Sequence, residues 1–73
     1  MNMETLQERV QSRQPFSLRL ADGTLVPVPH PEFIWLMRDG KTAVVNLSGS
    51  DVKFIDIELV IALEQGAPSA HDA

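Results

Sequence analysis

The stretch Phe16-Ser17-Leu18-Arg19-Leu20-Ala21-Asp22-Gly23-Thr24-Leu25-Val26-Pro27-Val28-Pro29 decides the fold class. Phe16, Leu18 and Leu20 alternate with Ser17, Arg19 and Ala21, the period-2 pattern of a half-buried strand. Asp22-Gly23 is turn chemistry, and residues 24–29 read as a second strand. The loop between them sets the register. A two-residue turn places Leu18 opposite Pro27. A three-residue loop, Ala21-Asp22-Gly23 with Gly23 left-handed, places Leu18 opposite Val26 and Phe16 opposite Val28. The second is preferred because it sends Val26 and Val28 to the core. Pro27 and Pro29, which lack ladder donors, then face outward and mark an edge or bulged strand.

Upstream, Met3, Leu6 and Val10 are spaced three and four apart and predict a helix over residues 3–13. Asn2 is a candidate N-cap, and Thr5 with Glu8 forms an alternative capping box one turn later. Glu4 and Glu8 precede Arg9 and Arg13, in the order the helix dipole favours. Gln14 precedes Pro15 and is excluded from helical geometry. Downstream, residues 33–38 form a third strand after Pro31. Asp39-Gly40 repeats the turn device, residues 41–47 form a fourth strand, and residues 52–57 a fifth after the polar loop Ser48-Gly49-Ser50-Asp51. Residues 58–63 read both ways, since Ile57, Val60 and Ile61 have helical spacing while the β-branched pair Val60-Ile61 favours a strand. A tight turn near Glu58 and a short closing strand are preferred.

The expected fold is therefore mainly β: an N-terminal helix (3–13) followed by a small, bent, five-stranded antiparallel sheet or barrel (16–64). It forms a single domain over residues 1–66 with a flexible tail at 67–73. Seventy-three residues support one small core. Folding at this size hides only about 60% of the surface of the unfolded chain. There is no cysteine, so no disulfide or thiolate metal site supplements that core. The expectation by elimination is stabilisation by a partner chain.

Six Lys and Arg against ten Asp and Glu make the chain acidic, and the basic residues are dispersed. This argues against a nucleic-acid partner, which requires clustered positive charge. No stretch approaches the ~20 apolar residues of a membrane span. Residues 1–10 carry Glu4 and Glu8 and do not read as a signal peptide. The expectation is a cytoplasmic protein with no membrane association.

Three short pieces occur in fixed order: Pro15-Phe16 leading to Asp22-Gly23, then His30-Pro31-Glu32-Phe33, then Phe54-Ile55-Asp56-Ile57 ahead of Leu59-Val60 and Glu64. This pattern resembles a family of short uncharacterised bacterial proteins, over roughly residues 6–64. The resemblance brings no activity with it. A more distant architectural likeness is to Sm-like proteins and the SH3-like barrels, with an N-terminal helix, a five-stranded bent barrel and an Asp-Gly hairpin. Sm-like proteins form rings and many bind RNA, but this chain has two prolines where their second strand has a bending glycine. It also has no match to their RNA-pocket residues around Asn46 or Phe54, so only architecture is carried over.

Each candidate chemistry has a plainer alternative. His30 and Glu32, two apart on a strand, resemble half of a metal site, but a third ligand is missing. Asp56 lies in an apolar run. A hydrogen-bonding role at the closing turn is preferred to that of a general base, because no nucleophile or acid is placed with it. Ser48-Gly49-Ser50-Asp51 lacks the Gly-Lys-Ser/Thr of a phosphate loop and the histidine of a triad. Arg19, Arg38 and Lys41 with Phe33 and Trp35 are a candidate RNA surface, against which the acidic total weighs. No catalytic residue, cofactor site or metal site is expected, and the chain does not read as an enzyme.

One segment stands apart. Phe33-Ile34-Trp35-Leu36-Met37 is apolar at every position, so both faces of that strand call for burial. One face fills the interior. The other is covered by the helix stripe Met3-Leu6-Val10, by another chain, or by both. The expected interface residues are Phe33, Ile34, Trp35, Leu36, Met37, Leu6 and Val10. The expected function is a non-enzymatic interaction or assembly module, most simply a homodimer, with another protein as a further partner and an Sm-like RNA-binding protein as the alternative.

Overall fold

The computed structural model describes residues 1–66, so the tail expected at 67–73 lies outside the described residues. The described chain is mainly β. It runs through helix α1 (Met3–Gln11), strands β1 (Phe16–Leu20) and β2 (Leu25–Val28), a 3₁₀ turn (Pro31–Phe33), and strands β3 (Ile34–Leu36), β4 (Thr42–Ser48) and β5 (Asp51–Asp56). A second 3₁₀ turn (Ile57–Leu59) leads into β6 (Val60–Gln65).

The strands form two antiparallel three-stranded sheets, ordered β2-β1-β6 and β3-β4-β5 and not closed into a barrel. This differs from the single five-stranded sheet expected from the sequence. The reason lies between Val28 and Ile34. Pro29 and Pro31 have no N–H to offer a ladder, and the chain winds into a 3₁₀ turn there. The run expected to form a strand over residues 33–38 is consequently shortened to Ile34–Leu36, with Phe33 in the turn.

The first hairpin has the register set by the three-residue loop: Leu18 pairs with Val26 and Phe16 with Val28. Gly23 has φ +92° and closes the loop by donating its N–H to Leu20 O at 2.9 Å. The Asp22 carboxylate accepts the Thr24 N–H at 2.9 Å. Residues 57–65 resolve as the preferred turn and closing strand. β6 pairs with the opposite edge of β1, Phe16 lying against Gln65 and Leu18 against Leu63. A bulge follows at Arg19/Leu20, which leaves Ile61 unpaired and exposed.

The helix is capped as expected, with the Asn2 side-chain oxygen accepting the Thr5 N–H at 2.8 Å. It stops two residues before the expected end. Ser12 caps it, its hydroxyl donating to Arg9 O at 2.6 Å, and Arg13 turns left-handed with φ +61°. Of the stripe, Leu6 is fully buried, while Met3 and Val10 pack half-buried against the core. That core lies between the inner faces of the sheets. Phe16, Leu18, Val26, Val28 and Val60 come from the first sheet and Ile34, Ala43, Val45 and Ile55 from the second, with Ile57 from the linking turn. Among the described residues no buried side-chain polar atom lacks a hydrogen-bond partner.

Candidate functional site

The outer faces of the two sheets differ in chemistry. On β2-β1-β6 the outward positions of β1 are Ser17 and Arg19. Ser17 donates its hydroxyl to Gly66 O at 2.9 Å, and Arg19 pairs with Glu64 and reaches Gly23 O. That face is mixed, since Pro27, Leu25 and Ala62 pair with these positions, but the polar side chains of Ser17, which is buried, and Arg19 are satisfied.

On β3-β4-β5 the outer face is apolar. Trp35 lies opposite Val44 and Val44 opposite Phe54, so one cross-strand row spans all three strands. Trp35 is 50% exposed and Phe54 67%. Met37 and Val52 lie two positions along from the ends of this row, hence on the same face, and both are exposed. Strand alternation produces the arrangement: Ile34, Val45 and Ile55 face the core, which leaves Trp35, Val44 and Phe54 on the other side.

Thr42, Asn46, Asp39 and Asp56, which border the row, are engaged within the chain. The Thr42 hydroxyl donates to Asp39 Oδ2 at 2.8 Å. The Asn46 side-chain amide donates to Gly49 O at 3.3 Å. Asp56 accepts the Glu58 N–H at 3.0 Å. The Lys41 N–H and the Thr42 hydroxyl hold the Asp39 carboxyl below the ordinary carboxylate range.

The seven residues expected at the interface separate. Leu6 and Ile34 are core residues facing inward, and Phe33, Leu36 and Val10 are half-buried; Trp35 and Met37 are exposed on the outer face. The helix stripe turns to the core, so it leaves the row Trp35–Val44–Phe54 uncovered. Val44, Val52 and Phe54 complete a face of which the sequence reading singled out only the β3 part. A partial signal was present: in residues 52–57, Val52 and Phe54 share one parity and Ile55 and Ile57 the other, so apolar side chains occur on both faces, although Lys53 and Asp56 interrupt them.

His30 and Glu32 do not lie on one strand. They flank Pro31 at the 3₁₀ turn and, with Arg13, line an open depression of about 300 Å³. The His30 ring meets Phe33 edge-on, centroids 5.6 Å apart. Among the described residues no helix is long and apolar enough to cross a membrane.

No protein-family model matches the chain, and no curated protein or solved structure matches it.

Proposed function

We propose that this protein is a non-enzymatic interaction or assembly module whose contact surface is the outer face of β3-β4-β5. The observation that carries this reading is the uninterrupted row Trp35–Val44–Phe54, exposed on a sheet whose polar border is satisfied internally. Asp56, the acidic residue in the apolar run, is engaged as a turn cap, which supports a structural role for it. The setting in this reading is the cytoplasm.

The residues carrying the resemblance to short bacterial proteins support the same view. Pro15 follows the helix, Asp22-Gly23 makes the first hairpin, His30-Pro31-Glu32-Phe33 makes the turn between the sheets, and Asp56 caps the turn before β6. Each is a device of folding. On this reading β2 and β3 are two halves of one strand broken at the prolines. The chain then has five strands in hairpin order with the last returning to the first, which is the basis for an Sm-like or SH3-like kinship.

The test is affinity retention with the wild type and a Trp35→Ser/Phe54→Ser variant. Both side chains are exposed, so the variant keeps its circular dichroism. Proteins held by the wild type and released by the variant support the reading; equal retention removes this face from it.

The second reading, an Sm-like RNA-binding protein, has one observation in its favour. Two exposed aromatics on one sheet face are a stacking platform for single-stranded bases. Arg38 and Lys41 lie at one end of it, but so do Asp39 and Asp56. Trp35 is the chain's single tryptophan, so quenching of its fluorescence by single-stranded RNA at low salt decides this reading.

A further inference from the structure

We infer that the occupant of the outer face of β3-β4-β5 is a second copy of this chain, related by a twofold axis, with the two faces packed as facing layers. This rests on the reading of that face as the interaction surface and names its partner.

The first argument is area. With each aromatic contributing roughly 150–250 Å² when fully exposed, Trp35, Phe54, Met37, Val52 and Val44 present on the order of 400 Å² of apolar surface. Homodimer interfaces are about 65% apolar. A patch of that composition therefore covers about 600 Å² per copy, or about 1,200 Å² for the pair, which reaches the size of a specific interface. It also lies within the range of the largest single patch on a typical monomer, about 300–600 Å², concentrated here on a chain with a total surface of only 4851 Å².

The second argument is charge. The row Trp35–Val44–Phe54 itself holds no ionisable side chain, and Arg38, Lys41, Asp39 and Asp56 lie together at one end of the face. A surface without charge at its centre has nothing to select a partner of opposite charge and nothing to repel its own image. Two copies that carry −4 each would thus meet through an uncharged centre, with charges of both signs at its edge.

The third argument is the core. The described core comprises twelve residues, of which the helix contributes only Leu6, and the chain has no cysteine to form a disulfide. Burying a second apolar layer is the remaining route to added stability, and a twofold pair does so with one patch used twice.

The experiment is sedimentation equilibrium and thermal unfolding across a micromolar concentration series, on the wild type and on Trp35→Ser/Phe54→Ser. The expected result for the wild type is twice the 8.1 kDa chain mass, with a midpoint temperature that rises with concentration. The variant is expected to run at the mass of one chain, with native circular dichroism and a concentration-independent midpoint. A wild type that stays at one chain mass throughout the series overturns the inference. If the face-dependent retention described above is still seen, the interaction reading survives with a different partner. A variant that remains dimeric also overturns the inference, because the self-contact then lies on another surface, while the interaction reading still stands or falls on the retention test.

Discussion

Asp56 reaches two residues forward to take the Glu58 N–H at 3.0 Å, and so fixes the 3₁₀ turn that swings the chain from the second sheet back to the first. The cap is a side-chain acceptor on an orphan backbone donor, the same device that begins a helix. Asp56→Asn retains an acceptor oxygen and is expected to stay folded. Asp56→Leu removes it and is expected to cost about 0.5–2 kcal/mol. Urea denaturation of both variants provides the check, and equal midpoints would show that the cap is energetically silent.

Two left-handed residues are expected to respond in opposite directions. Gly23 has φ +92° with open space where a Cβ would sit. Gly23→Ala therefore meets no neighbour, and its cost is backbone strain alone, about 1 kcal/mol or more. Arg13 already carries a Cβ at φ +61°. Arg13→Gly relieves about 1–2 kcal/mol of that strain and adds about 0.5–1 kcal/mol of unfolded-state entropy, for a net gain of up to about 1.5 kcal/mol. Denaturation midpoints that fall for Gly23→Ala and rise for Arg13→Gly are the expected result.

Leu6 is the one helix side chain with no exposed surface. Leu6→Ala is expected to cost about 2–5 kcal/mol, a large share of the stability of so small a domain. A nine-residue helix has little stability of its own in water, so the helical signal should fall with the tertiary fold in one transition. Helical circular dichroism that outlasts Trp35 fluorescence during unfolding would contradict that coupling.

Acid should destabilise the fold through three exposed carboxylates. The Thr24 side chain and N–H lower Asp22, the Lys41 N–H and Thr42 hydroxyl lower Asp39, and the Arg19 guanidinium lowers Glu64. Each is more acidic folded than unfolded. Its contribution is thus complete above the unfolded value near pH 4 and is lost as pH falls through the folded value. Stability should be flat near neutrality and decline below about pH 4. Asp39→Asn should make that decline shallower; an unchanged slope would show that Asp39 contributes nothing to it.

The parts of the fold legible in the sequence are those set by local chemistry. The Asp22-Gly23 loop fixed its own register because only one pairing buries Val26 and Val28. The Asn2 cap and the closing turn at residues 57–59 were readable for the same reason. The break between β2 and β3 was less so. Pro29 and Pro31 signal an interruption, but whether a strand bends or stops there depends on the 3₁₀ turn, which no single residue specifies. The apolar outer face of the second sheet was half legible. The two-sided apolar run at residues 33–37 is conspicuous because it is unbroken. In β5, Lys53 falls between Val52 and Phe54 and disguises the same property. Which apolar side meets the core is decided by pairing across strands, information that is absent from either strand alone.

The pairing of β1 with both β2 and β6 also sets an order of events during synthesis. β3, β4 and β5 are consecutive hairpins, so the second sheet needs no residue beyond Asp56 and its pairings are local in sequence. The first sheet stays incomplete, with one edge of Phe16–Leu20 unpaired, until Val60–Gln65 returns to it from forty or more residues along the chain. Contacts this distant in sequence form slowly, and the nascent chain meanwhile presents an open strand edge together with Trp35 and Phe54. The interval before β6 closes is the stage at which this small protein is most exposed to misassembly with its own copies.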